Sequence, residues 1–154
     1  MSFTSNIVQL NYDSLLAQYE RVIAYLFETS DSFSVVADLK KPYLEIPPNI
    51  RQDRFAEQLK DYALKQITDI HEWPEGIECH GRHKVLLVFR ACKRAMKLIC
   101  EQGNLLSAPL NGLPEDICFL RKGKAWFSTI THEKMAFVSL ETPKDVEFFC
   151  SYKK

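Results

Sequence analysis

Apolar residues recur along this chain with two periods, and each period predicts a different element. Between residues 12 and 28, Tyr12, Leu15, Leu16, Tyr19, Val22, Ile23, Leu26 and Phe27 fall at three- and four-residue steps. That spacing draws one stripe down an amphipathic helix. Asn11 or Asp13 can cap its start, and the polar run Glu28-Thr29-Ser30-Asp31-Ser32 ends it. Phe33, Val35, Ala37 and Leu39 then sit on alternate positions, which predicts a strand. Pro42, Pro47 and Pro48 predict extended or irregular backbone after it, because proline fixes φ and restricts the residue before it.

Two more helices are expected in the middle of the chain. One starts near Asn49, with Gln52 in the capping-box position, and buries Phe55, Leu59, Tyr62, Ala63, Ile67 and Ile70. Trp73-Pro74 and Gly76 close it. The other runs from about Arg82 to Gln102 and is the most apolar, with Gly103 placed as its C-terminal cap. From Gly103 to Asp116 neither period holds although Leu105, Leu106, Leu110 and Leu113 are apolar, and a loop this long is either functional or packed down by its own leucines.

The last third has β character. Ile117 to Arg121 and Lys124 to Ile130 flank Lys122-Gly123, a two-residue turn that needs positive φ at the glycine. Thr131 to Lys134 form a second turn into a strand from Met135 to Leu140. Thr142-Pro143 then reads as a cap and first helical residue, with Val146, Phe149 and Cys150 anchoring a short terminal helix. Three consecutive strands with helices placed elsewhere make an α+β plan. The expectation is a single domain over residues 1–154. An antiparallel sheet of three to four strands, mainly the C-terminal meander, packs against three to four helices.

Composition narrows the class without naming a function. With 154 residues, 46% hydrophobic and 26% charged, the chain suits one globular core and excludes collagen-like, low-complexity and disulfide-miniprotein classes. No run approaches the ~20 apolar residues of a spanning helix. The start, Met1 to Asn6, is polar, so no membrane segment or secretory signal is expected. The five cysteines are odd in number and irregularly spaced, and no Asn-x-Ser/Thr sequon occurs. Free thiols in a reducing cytoplasm are the expectation, with Cys92, Cys100, Cys118 and Cys150 acting as small hydrophobes.

The formal net charge of zero hides a separation along the chain. Residues 1–78 carry seven Lys/Arg against thirteen Asp/Glu, whereas residues 79–125 carry nine against three. On a helix through this region, Arg90, Lys93, Arg94 and Lys97 share one face, and Arg121, Lys122 and Lys124 add a basic hairpin tip. A dedicated nucleic-acid binder would carry a surplus of positive charge, which this chain lacks. An acidic protein partner fits better, because a few complementary charges suffice to steer association.

The candidate chemistry is sparse. His71, Cys79, His80 and His83, with Glu75 and Glu78 among them, form the densest set of potential metal ligands, but the two separated ligand pairs of a zinc module are missing. Cys118 and His132 lie on neighbouring strands of the meander and form a possible nucleophile–base pair. His132-Glu133 is a possible acid/base couple, although adjacent turn residues seldom converge on one atom. No phosphate loop, nucleophile elbow, zincin helix or calcium loop occurs, and no cofactor is expected. The leading expectation is a non-enzymatic protein-binding module, in concrete form an inhibitor or immunity-type protein. Its surface would be the Arg90, Lys93, Arg94, Lys97, Arg121, Lys122 and Lys124 set. The alternative is a small metal- or thiol-dependent enzyme using the His71/Cys79/His80/His83 or Cys118/His132 groups.

Overall fold

Strands from both ends of the chain meet in one sheet. The computed structural model describes residues 7–38, 50–68, 84–108 and 110–154. Its strands are β1 (Ile7–Leu10), β2 (Ser32–Asp38), β3 (Ala63–Thr68), β4 (Lys84–Arg90), β5 (Glu115–Arg121), β6 (Lys124–Ile130) and β7 (Met135–Ser139). They pair in the order β1-β7-β6-β5-β2-β4-β3, every pair antiparallel. The helices are α1 (Tyr12–Ala17), α2 (Tyr19–Glu28), α3 (Ile50–Gln58), α4 (Lys93–Gln102) and α5 (Pro143–Phe149). The α+β class is as expected, but seven strands among the described residues replace the expected three to four.

Alternation along each strand decides which face is covered. Phe33, Val35 and Ala37 of β2, Val85, Leu87 and Phe89 of β4, and Ile117 and Phe119 of β5 all join the main core. Leu15, Val22, Ile23, Leu26, Phe55, Ile99 and Phe149 meet them from the helices. Aromatic rings run through the centre: Phe27, Phe33, Phe119 and Phe127 succeed one another at centroid separations of 4.9 to 6.1 Å. The other face of the sheet carries a separate small cluster of Val36, Leu86 and Val88.

Three expectations need correction. The helix placed over residues 82–102 is a strand, β4, followed by the helix α4. The run Val85-Leu86-Leu87-Val88-Phe89 is buried on both faces, so it carries no polar alternation and looks helical by hydrophobicity alone. The helix expected from Asn49 stops at Gln58, and after a short 3-10 turn Ala63–Thr68 pair with β4 as an edge strand, leaving Ile67 exposed. Of the three anchors expected for the terminal helix only Phe149 is buried; Val146 and Cys150 are exposed.

Other local expectations hold. The stripe over residues 12–28 divides into α1 and α2 at Gln18, and the Asn11 side chain accepts from the Ser14 amide as its cap. The Lys122-Gly123 turn has φ of 51° and 75°. Thr142 and Asp145 form a reciprocal capping box at α5. Leu105, Leu106 and Leu113 are buried, which fits the packed-down alternative for the loop, while Leu110 is 95% exposed. The proline-rich stretch and the end of the second predicted helix, Ile70 to Gly76, lie outside the described residues.

Candidate protein-binding surface

The central strand β2 determines which basic residues become neighbours. Its first residue, Ser32, lies opposite Arg90 of β4 on one side and Leu120 of β5 on the other. Asp31, just before it, ties the same three segments together. Its amide donates to the Leu120 carbonyl at 3.0 Å, its carbonyl accepts from Ala91 at 2.9 Å, and its carboxylate accepts from the Lys122 amide at 2.6 Å. The end of β4, the start of α4 and the tip of the β5–β6 hairpin therefore gather at one end of the sheet.

Each cation there has its own setting. Arg90 is on the strand and not on a helix face, and its guanidinium lies 5.8 Å from the Tyr62 ring centroid. Lys93, Arg94 and Lys97 lie on the outer side of α4, whose Ala95 and Ile99 are buried. Lys93 and Arg94 open that helix. Its first turn holds no acidic residue and its N-cap, Cys92, makes no side-chain capping bond. Lys122 and Lys124 are exposed at the hairpin tip. Among the described residues none of these six cations makes an ion pair with a carboxylate.

Arg121 is different. Its guanidinium donates to both carboxylate oxygens of Asp145 at 2.8 and 2.9 Å, to Glu141 at 3.1 Å and to the Thr29 carbonyl at 2.8 Å. It also lies 3.4 Å over the Trp126 ring. Asp145, with 0% of its side chain exposed, accepts further from the Tyr25 hydroxyl at 2.6 Å and from the Glu141 and Thr142 amides at 3.1 Å. Burial raises the Asp145 pKa, but the bonds from Arg121, Tyr25 and the backbone outweigh it and hold the carboxyl at about 2. Burial and the adjacent carboxylate push the Tyr25 phenol up to about 12. The pair fastens the hairpin to α5, so Arg121 is an internal strut and leaves the open cations to its neighbours.

Between the hairpin, the α2–β2 connection and the start of α5 lies a cleft of about 840 Å³. Tyr25, Arg121 and Asp145 line it, and Lys122, Lys124 and Lys144 also border it.

A second cluster sits at the start of β5. Ligand atoms of Glu115, Asp116 and His132 all lie within 4.8 Å of one another. Each acid is already engaged. Glu115 holds the Lys84 ammonium at 3.0 Å, while Asp116 accepts from the Thr131 amide at 2.8 Å and its hydroxyl at 3.0 Å. Burial pushes the Asp116 carboxyl upward. His132 is mostly exposed, with its Nε2 3.9 Å from Glu133. Cys118 is buried opposite Ser128 and lies outside this group, so the expected Cys118–His132 pair is not gathered into it. His71, Cys79, His80 and His83 lie outside the described residues. Among the described cysteines, Cys92, Cys100, Cys118 and Cys150 are all free thiols, and burial raises the Cys100 pKa. No described helix is long and apolar enough to cross a membrane.

Sequence reading missed Asp31, Lys144 and Asp145 as parts of this region. Thr142 and Pro143 announced a helix start there, but nothing local ties Asp145 to a guanidinium 24 residues earlier. No family model matches the chain, and no curated protein or solved structure matches it either.

Proposed function

We propose that this chain is a non-enzymatic, cytoplasmic protein-binding module that engages an acidic partner protein through the basic end of its sheet. An inhibitor or immunity-type protein that masks its partner's site is the concrete form. The observation carrying this reading is the start of α4. The exposed N-terminal end of a helix favours anions, and a cation there opposes the macrodipole by about 0.3–1 kcal/mol. Here Lys93 and Arg94 occupy the first two positions, with no acidic residue in the turn and Lys97 one turn on. Arg90, Lys122 and Lys124 stand at the same end of the sheet. Local rules broken together at one surface are the usual mark of a site kept for binding.

The reading makes a paired prediction for Lys93→Glu/Arg94→Glu. The variant gains stability, by about 0.5–1.5 kcal/mol in urea unfolding, since both changes now agree with the helix dipole. It also loses capture of the acidic protein that the unchanged chain crosslinks in native extract. Association of that protein with the unchanged chain slows steeply as salt rises. Association indifferent to both charge and salt would remove this surface from consideration.

A metal-dependent enzyme is the second reading, and its one support is the Glu115–Asp116–His132 grouping. Stoichiometric metal in the purified protein, lost in His132→Ala, would favour it. The Lys84 ammonium already on Glu115 competes for that position.

A further inference from the structure

We infer that the cleft between the β5–β6 hairpin and the start of α5 is the seat for a carboxylate-bearing segment of that partner, with Lys144 as a contact residue beside Lys122 and Lys124. This rests on the reading just proposed and adds to it where the acidic side chains dock. The cleft is lined by four cations and three carboxylates, and the way these are used matters more than the count. Asp145 is fully engaged by Arg121, Tyr25 and two backbone amides. Glu141 is held by Arg121, and Asp31 accepts from the Lys122 amide. The ammonium groups of Lys122, Lys124 and Lys144 have no carboxylate partner among the described residues. Asp145 is buried and Glu141 is paired with Arg121, while Asp31 stays exposed, so the three exposed lysines leave the cleft with a small cationic surplus.

The surroundings are stiff enough to make a seat. The Lys144 ammonium lies 5.7 Å from the Tyr25 ring centroid, and that ring stacks on Phe148 at 4.0 Å and 7°. The Trp126 indole is fixed by Arg121 above it and by a bond from its Nε1 to the Ser30 hydroxyl at 2.9 Å. A cleft of about 840 Å³ admits several side chains of an extended segment. Lysines aligned on a rigid frame gain from a fixed partner with less loss of rotamer freedom than lysines on a mobile loop.

The probe is a blocked peptide carrying four consecutive glutamates, titrated into the ¹⁵N-labelled full chain at low salt. Saturable amide shifts are expected at residues 121–125 and 141–145 and at the Trp126 indole, and a four-glutamine peptide should produce none. Lys124→Glu/Lys144→Glu changes two exposed side chains, and should weaken peptide binding at least tenfold without moving the unfolding midpoint by more than a fraction of its width. Shifts confined to Lys93–Lys97, untouched by the double variant, would overturn the cleft while leaving the basic end of α4 as the binding surface. No shifts anywhere would overturn both. Inorganic phosphate that binds the cleft as tightly as the peptide would also overturn the proposal, since the site would then take small anions generally.

Discussion

Arg121 makes four hydrogen bonds and a ring contact, and Asp145 accepts at both of its oxygens from side chains and backbone alike. Removing Asp145 leaves the Arg121 guanidinium with only the Thr29 carbonyl and the partly exposed Glu141 carboxylate. Asp145→Ala is therefore expected to cost about 2–3 kcal/mol in urea unfolding. The pH dependence follows from the direction of the shift. Asp145 titrates at about 2 when folded, against about 3.9 in an unfolded chain. Its contribution is complete above pH ~4 and is lost as pH falls toward 2. Asp116 works the other way, because burial raises its pKa and acidification relieves its charge. Unfolding midpoints between pH 5 and 2 should fall more shallowly in Asp145→Asn than in the unchanged chain; parallel curves would refute this account.

Turns and helix ends show which elements local sequence can specify. Gly123 has a φ of 75° with open space where a Cβ would go. Gly123→Ala should therefore cost about 1 kcal/mol, from backbone strain alone. Gly112 has a similar φ of 78°, but a Cβ there would lie 3.2 Å from Arg51 Cδ. Arg51 is anchored by bonds to the Asn111 and Gln102 carbonyls, so Gly112→Ala should cost more than Gly123→Ala by thermal unfolding. Such signals are local, which is why the hairpin, the Thr142 cap and the Gly103 helix end were legible. β4 was not, because Val85 to Phe89 are buried on both faces and strand and helix then leave the same apolar run. β3 was misread for a related reason: Tyr62, Ala63 and Ile67 keep a helical interval although the chain pairs with β4. Of the proposed surface, the clustering of cations in sequence was visible. Their distribution between a strand, a helix and a hairpin was not, and the inward turn of Arg121 depends on a contact made across 24 residues.

The order of strands sets how firmness is distributed over the whole molecule. β2 and β5 lie inside the sheet with partners on both sides, whereas β1 and β3 are its outer strands among the described residues. Native-state hydrogen exchange should therefore be slowest at the amides of Phe33, Val35 and Phe119 and fastest, among strand amides, in β3. Protection that is uniform across the sheet would contradict this gradient. The basic end is attached to the slow part, through Asp31 at the head of β2, so the proposed docking surface is carried by the firmest element.

β1 pairs with β7, residue 8 opposite residue 138, and the Lys154 amide donates to the Gln9 carbonyl. During synthesis β1 therefore leaves the ribosome long before β7, the strand that pairs with it among the described residues, exists. The β1–β7 pairing waits until all the residues between the two strands have been made, so that side of the sheet closes late in folding.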